Sequence, residues 1–498
     1  METQSHFSKL GIGQPSFIAR FASCWYYFSL SLFITCSVVC LPAQALELDG
    51  AYGDHMVLQR SLPIRLSGKT RPGAKVVVRL HRQVIKCKAD AGGIWRAALA
   101  AEVAGGPYDL NIEGEQSLHF SDVLVGDVFL FAGQSNMYFP VNSLAAARAL
   151  QEHAHNPNLR LFKVPARESL VPEKSMAALW KQAEADSIAN FSAIGYLVGS
   201  SLQQQLKVPI GLIDCSYPGT PIDAWMSQSS LPLKYHDLKE LPPLPELNGS
   251  VNLKVHTSFA RGLAASAFFN GMVAPLMASP LKAVFWYQGE ADLGHSEYRR
   301  LFPALIKSWR EGFSEGDELP FIFVQMPRCS LLENYLGAGV WPQLREAQSS
   351  ALALKNVYMA VTIDLGEADN IHPPEKEKFA RRLLAIAQSV LYKQKVVSSG
   401  PQLNGYSVRG ETVRIFLRKS ASVLVYRPQG SFSSVEIAGP DGRFIPAQVH
   451  VEKDFLVARA PGVSQPKRLR YAYAGVPVLT IFNKAGLPCA PFDVRVAE

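Results

Sequence analysis

The stretch at residues 126–137, GDVFLFAGQSNM, constrains this chain more than any other. Its core, VFLF at 128–131, is a short apolar run suited to a buried strand. The run breaks at Ala132-Gly133, and Ser135 follows at once. A stretch of helical character, SLAAARALQEH at 143–153, comes soon after. An α/β protein exposes a nucleophile on this kind of sharp turn at the end of a buried strand. The plainer alternative is a tight turn with a capping Ser. Partners downstream decide between the two.

The chain has 498 residues, 48% of them hydrophobic, enough for one large core and one or two smaller domains. Only 18% are charged, against 36 Gly and 33 Pro, which describes a folded, loop-rich protein. The formal net charge is +8, but the basic residues are scattered. The densest spots are Lys86 and Lys88, Lys376 and Lys378, and Arg381-Arg382. No long basic tract with interleaved aromatics occurs, so nucleic acid is not an expected partner. A mild pull on anionic substrates is the most that the charge implies.

Lys9 and Arg20 precede an apolar run at 21–41, and Ala43-Gln44-Ala45 then forms a small-x-small site. Residues 1–45 therefore read as a secretory signal with a long leading region, removed after Ala45. A retained membrane anchor is the alternative, because the run is near spanning length. Lipid attachment at Cys40 is disfavoured by Ser37-Val38-Val39 before it. The expectation is an exported protein, periplasmic or extracellular, from a bacterial source and with no stable membrane partner. Cleavage would remove Cys24, Cys36 and Cys40 and leave Cys87, Cys215, Cys329 and Cys489. These are too far apart in sequence for a CxxC metal pair and need not form disulfides.

Residues 46–125 read as β structure. KVVVRL at 75–80 follows a Pro72-Gly73 turn, Ile94-Trp95-Arg96 follows another, and residues 108–112 alternate after Gly105-Gly106-Pro107. From 126 to 397 the rhythm changes. Apolar runs at 128–131, 208–213, 283–286, 321–324 and 359–363 alternate with helical spacing at 194–206, 298–311, 341–354 and 376–392. Strand and helix at these lengths predict parallel βαβ units with helices on both faces. Residues 398–498 return to β patterning, with candidate strands at 412–417, 422–426 and 468–474. The fold expected is α/β: a central parallel-sheet domain flanked by N-terminal and C-terminal β-sandwich-like domains.

Chemistry in such a fold belongs to loops at the carboxyl ends of the strands. Four such ends carry polar residues: Gln134-Ser135-Asn136, CSYPGT at 215–220, QGEAD at 288–292 and DLGEADNIH at 364–372. His372 is the best base for Ser135, because an imidazole takes and returns a proton at neutral pH. Asp369, three residues earlier, is placed to orient it, and Asp364 and Glu367 are rivals for that role. Oxyanion donors are the backbone N–H groups of Ser135 and Gly219. A third would come from Gln288, Gly289 or a neighbour in that loop. An ionised Asp292 is an acceptor only, so either it is protonated, or the donor is another group such as Gln288, or the position serves structure. Glu290 reads equally as an orienter of the nucleophile loop or a buried brace. No metal site stands out, since the histidines at 153 and 155 lack partners at ligand spacing. Without GxGxxG or GxxxxGK, no nucleotide cofactor is expected.

These blocks resemble the sialate O-acetylesterase family, whose catalytic domain is an SGNH hydrolase. The resemblance rests on AGQSNM around Ser135, FSAIGYLVG at 191–199, GLIDCSYPGTPIDAW at 211–225, FWYQGEAD at 285–292, WPQLREAQ at 341–348 and DNIHPPEK at 369–376. DGAYGDHMVLQR near the start and IFNKAGLPCAPF near the end are also similar. The resemblance implies Ser135 as nucleophile, His372 as general base and Asp369 as orienting acid. It implies Gly219 as the oxyanion glycine. Two departures stand out. Pro218 occupies a position where the family has Gly, leaving Gly219 as that loop's donor. Asp292 stands where the family often has Asn. The implied substrate is 9-O-acetylated sialic acid, with water as second substrate and no cofactor. An acetylated polysaccharide such as xylan is the competing substrate, and a sugar-binding protein on a degenerate esterase scaffold is the competing class. A sialate carboxylate would call for an Arg near the cleft, and Arg160, Arg328 and Arg345 are the candidates. A lipase or protease is disfavoured by the absence of a GxSxG elbow.

Overall fold

The apolar run at 128–131 is the inner part of a strand of 17 residues, β1 (Ser117–Gly133), in the computed structural model. The structure describes residues 45–233, 264–313, 318–418, 423–427, 434–452 and 455–496. The secretory-signal reading of residues 1–45 lies, but for Ala45, outside the described residues. The remaining central strands are β2 (Asn156–Lys163), β3 (Ile210–Ser216), β4 (Ala283–Tyr287), β5 (Phe321–Val324) and β6 (Val357–Ala360). They lie side by side in the order β6-β5-β4-β1-β3-β2, all parallel, with Lys181–Ala183 antiparallel on the β2 edge. β3, β4 and β5 are buried at every position, which is why they read as unbroken apolar runs and not as alternation.

β1 has two environments along its length. Its first half pairs antiparallel with Gly105–Glu113, which pairs with Lys75–Leu80, which pairs with Gln83–Lys88. Its second half pairs in parallel with β3 and β4. Residues 124–126 also pair in parallel with Val57–Gln59, so antiparallel and parallel pairing meet inside one strand at residues 124–127. Among the described residues eleven strands share this mixed sheet. Ile64–Lys69 and Ile94–Leu99 pair separately. Beyond residue 398 lie two four-stranded antiparallel sheets and one pair, Leu424–Tyr426 with Ile481–Asn483.

Four helices flank the parallel strands: α1 (Ala193–Leu206), α2 (Tyr298–Gly312), α3 (Val340–Ser349) and α4 (Lys376–Tyr392). α1 packs on α4, and α2 packs on α3. In α2 the buried residues Tyr298, Leu301, Phe302, Leu305, Ile306 and Trp309 recur at three- and four-residue intervals, one face of a helix. Pro303 lies inside α2 and leaves the carbonyl of Arg299 without its helical donor. The hydroxyl of Ser350 lies 2.8 Å from that carbonyl, within reach to donate to it, and the helix continues to Gly312. The helical stretch at 143–153 is shorter than its spacing predicts, with α-helix only at Ala147–Glu152.

The order of connections sets the site. From β1 the chain goes out to β2, returns to β3, then crosses to β4 on the other flank of β1. Such a reversal leaves a crevice outside the carboxyl ends of the central strands. Ser135, Gly219 and residues 288–292 follow β1, β3 and β4, and His372 lies beyond β6.

Candidate active site

Backbone packing at the end of β1 comes first. Gly133 has φ +134°, and a Cβ there would lie 2.1 Å from the carbonyl oxygen of Tyr287. Only glycine allows β1 and β4 to approach so closely. The N–H of Gln134 donates to that same Tyr287 carbonyl at 3.0 Å, and the N–H of Tyr217 donates to the Gly133 carbonyl at 3.0 Å. Three strand ends are pinned together, and one helical turn, Ser135–Tyr138, starts immediately after.

Ser135 and His372 meet there. The imidazole Nε2 lies 2.7 Å from Oγ of Ser135, hydrogen-bond distance for a base and its nucleophile. The His372 loop is closed by Asn370, whose side-chain oxygen accepts the His372 N–H at 2.9 Å and whose amide donates to Glu367 at 2.9 Å. The carboxylates compared as orienting acid are placed differently from the sequence expectation. Asp364 receives Arg382 at 2.6 Å, Glu367 receives Asn370, and Asp369 is exposed with no hydrogen bond to His372. Asn370, not Asp369, supplies the hydrogen bonds that close the loop, and Asp369 is exposed.

The oxyanion donors divide likewise. Gly219 has φ +72°, with nothing within 4 Å of where a Cβ would stand. Among the described residues, the N–H groups of Ser135 and Gly219 have no acceptor. Gln288 is no donor to the site: its amide gives hydrogen bonds to the Thr220 carbonyl at 3.0 Å and to Asp292 at 2.5 Å. Asp292 is buried and also accepts the N–H of Ile222 at 2.9 Å. It is a brace between the loops after β3 and β4. The N–H of Gly289 is directed at Gln134 Oε1, 3.4 Å away, and that of Ala291 at 3.2 Å.

Glu290 is buried and accepts a hydrogen bond from the amide of Asn136, the residue after Ser135. The same amide donates to the carbonyl of Ile371 at 2.7 Å, one residue before His372. The Asn136 side-chain oxygen accepts from Lys376 Nζ. Burial pushes the Glu290 carboxyl up from its ordinary range and the Lys376 ammonium down to about 7. The sequence places Gln134 and Asn136 beside Ser135 at a strand end and Lys376 in a basic pair, and gives none of the three a role. The first two adjoin Ser135, and that adjacency was the available signal. Lys376 lies in a polar run and carries no local mark of burial.

Two of the arginines considered for a substrate carboxylate are already occupied. Arg160 is buried and bonds to Asp122 at 2.7 Å and to the Pro157 carbonyl at 2.7 Å. Arg345 is buried and donates to the carbonyls of Met326, Pro327, Ala474 and Gly475. Arg328 is half-buried, and its Nε has no acceptor among the described residues. His155 is committed to Glu184 at 2.8 Å, and no group of three or more possible metal ligands occurs among the described residues. Cys215, Cys329 and Cys489 are buried thiols, Cys87 is half-buried, and none is in a disulfide. No described helix is long and apolar enough to cross a membrane.

Comparison with known proteins adds the chemistry's class. Residues 125–383 match the family described as "Carbohydrate esterase, sialic acid-specific acetylesterase". A sialate O-acetylesterase of Rattus norvegicus is 28% identical over 81% of this chain and 84% of its own length. One of Mus musculus is 30% identical over 69% and 73%. The crystal structure of a novel carbohydrate acetylesterase from Xanthomonas citri superposes with a TM-score of 0.79 at 32% identity, covering 90% of this chain and 99% of that one.

Proposed function

This chain belongs to the sialate O-acetylesterase family of SGNH-like carbohydrate esterases, and from that premise we propose that it removes O-acetyl groups from a glycan through an acetyl-serine intermediate. The observation that carries the reading is the 2.7 Å separation of Ser135 Oγ and His372 Nε2.

In the proposed mechanism, His372 takes the Ser135 proton as Oγ attacks the acetyl carbonyl. The tetrahedral oxyanion meets the N–H groups of Ser135 and Gly219. It collapses as His372 returns the proton to the departing sugar oxygen. Water then enters and gives His372 its proton while attacking the acetyl-serine. Acetate leaves and Oγ is reprotonated. Asp369 enters this scheme as orienting acid only on its place in the motif. To act so, it must swing from solvent toward His372.

The sialate 9-O-acetyl ester is the substrate that the family and its mammalian relatives suggest. A neutral acetylated polysaccharide is the second reading, favoured by the commitment of Arg160 and Arg345 to internal partners. Arg328 is then the remaining candidate for a sialate carboxylate. Acetate release from mono-O-acetylated sialic acid and from acetylated xylan, with Ser135→Ala alongside, tests all of this. Serine-dependent release from the sialic acid ester supports the first reading, and release from xylan alone moves the substrate to plant polysaccharide. No release from either, by a folded protein, would sink the esterase reading. Export with cleavage after Ala45 is part of the proposal, and N-terminal sequencing of the mature protein checks it.

A further inference from the structure

We propose that Lys376 is a positioning residue for this reaction, locking the Ser135 turn to the His372 loop through the side chain of Asn136. The inference rests on the reading of Ser135 and His372 as the reacting pair. Three strand ends converge on Asn136. It lies in the turn after β1; Glu290 belongs to the loop after β4; Ile371 lies on the segment joining β6 to α4, and Lys376 is the first residue of α4. The Asn136 amide nitrogen gives its two protons to Glu290 and to the Ile371 carbonyl, and its oxygen receives Lys376. Lysine only donates and a carbonyl only accepts, so these partners fix which way the amide points.

The tie at 2.7 Å between Asn136 and Ile371 lies one residue from each member of the Ser135–His372 pair. It is a second fastener beside the reacting contact, and Lys376 holds it in orientation. Lys376 is itself fully buried, with its ammonium 4.7 Å from the ring centre of Phe139, 5.5 Å from Phe379 and 5.8 Å from Tyr287. Its own N–H donates to the Pro374 carbonyl at 2.8 Å. Glu290, buried on the far side of Asn136, is the acid that faces it, and one Glu290 oxygen has no hydrogen-bond partner among the described residues. An acid and a base buried without solvent are retained here at a site where a well-packed apolar pair would be at least as stable. That cost is explained if the bridge holds reacting groups, where a misplacement of about 1 Å lowers the rate on the order of a hundredfold.

The test uses the full chain with Lys376→Met and the double variant Lys376→Met with Glu290→Gln. The single variant is expected to lose about a hundredfold in kcat with KM changed less than about threefold. It also unfolds more readily, because the buried Glu290 loses the cation that faces it. In the double variant both charges are gone, so thermal stability is expected to recover while kcat stays low. Recovery of kcat together with stability would show a purely structural role and overturn the proposal, as would a single variant with kcat within about threefold of the parent. Labelling of Ser135 by a fluorophosphonate, read beside acetate release, separates the two possible failures. A parent protein that neither labels nor releases acetate removes the Ser135–His372 reading and this inference with it. A parent that does both, with Lys376→Met doing both equally fast, removes this inference alone.

Discussion

His372 Nε2 and Ser135 Oγ stand 2.7 Å apart although 237 residues separate them in the chain. Ser135→Ala is expected to lower kcat by at least about 10³-fold, since the oxygen proposed to attack the acetyl carbonyl is gone. Ser135 is buried and loses only a hydroxyl, so the melting temperature is expected to stay within a few degrees of the parent. Acetate release paired with a thermal melt checks both.

Asp369 is exposed and unconnected to His372. With that geometry Asp369→Ala costs less than about tenfold in kcat/KM, far short of the roughly 10⁴-fold loss on disabling an engaged triad acid. A loss of the larger size would show that the loop closes Asp369 onto His372 during turnover. Steady-state kinetics of Asp369→Ala beside His372→Ala decide it.

At Gly133 the constraint is steric. A methyl group 2.1 Å from the Tyr287 carbonyl forces β1 and β4 apart, and φ +134° is unfavourable for any other residue. Gly133→Ala is expected to destabilise the protein by more than about 3 kcal/mol and to abolish acetate release. Urea denaturation followed by tryptophan fluorescence measures the first.

A pH effect on stability follows from Asp122. Burial raises its pKa, but hydrogen bonds from Arg160 and His55, both at 2.7 Å, outweigh burial and hold it at about 2. A depressed carboxylate stabilises the fold above its ordinary pKa, and that contribution is lost as pH falls from about 4 through about 2. The shift alone is worth about 2 kcal/mol, and solvent screening at this partly exposed group leaves about 1 kcal/mol. Parent and Asp122→Asn proteins are therefore expected to differ in stability at pH 7 and to converge toward pH 2. Denaturation midpoints across that range test the sign.

Much of the site was legible locally. An apolar run followed by Gly-x-Ser marks a strand that ends in an exposed turn, and β1 ends that way. The same logic placed the loops containing Gly219, Glu290 and His372 along one sheet edge. The strand at 321–324 and the helix at 376–392 were also readable, because strand and helix periods differ within a few residues. Tertiary structure alone decided which polar side chains turn inward. Gln288 read as a donor to the oxyanion, yet its amide joins two loops through Thr220 and Asp292. Arg345 read as a receptor for a sugar acid, yet four backbone carbonyls surround it.

Lys376 and Lys378 give the sharpest case. Both lie in the first turn of α4, two residues apart and chemically identical. Lys376 has no exposed surface, while Lys378 is exposed and pairs with Glu375 at 2.7 Å. Sequence determined that a helix begins there and that it carries two cations. Docking of that helix against Asn136, Phe139 and Tyr287, residues far away along the chain, determined which cation lost its water. Burial is set by long-range packing, and a charge bears no local mark of the solvent that folding will remove from it.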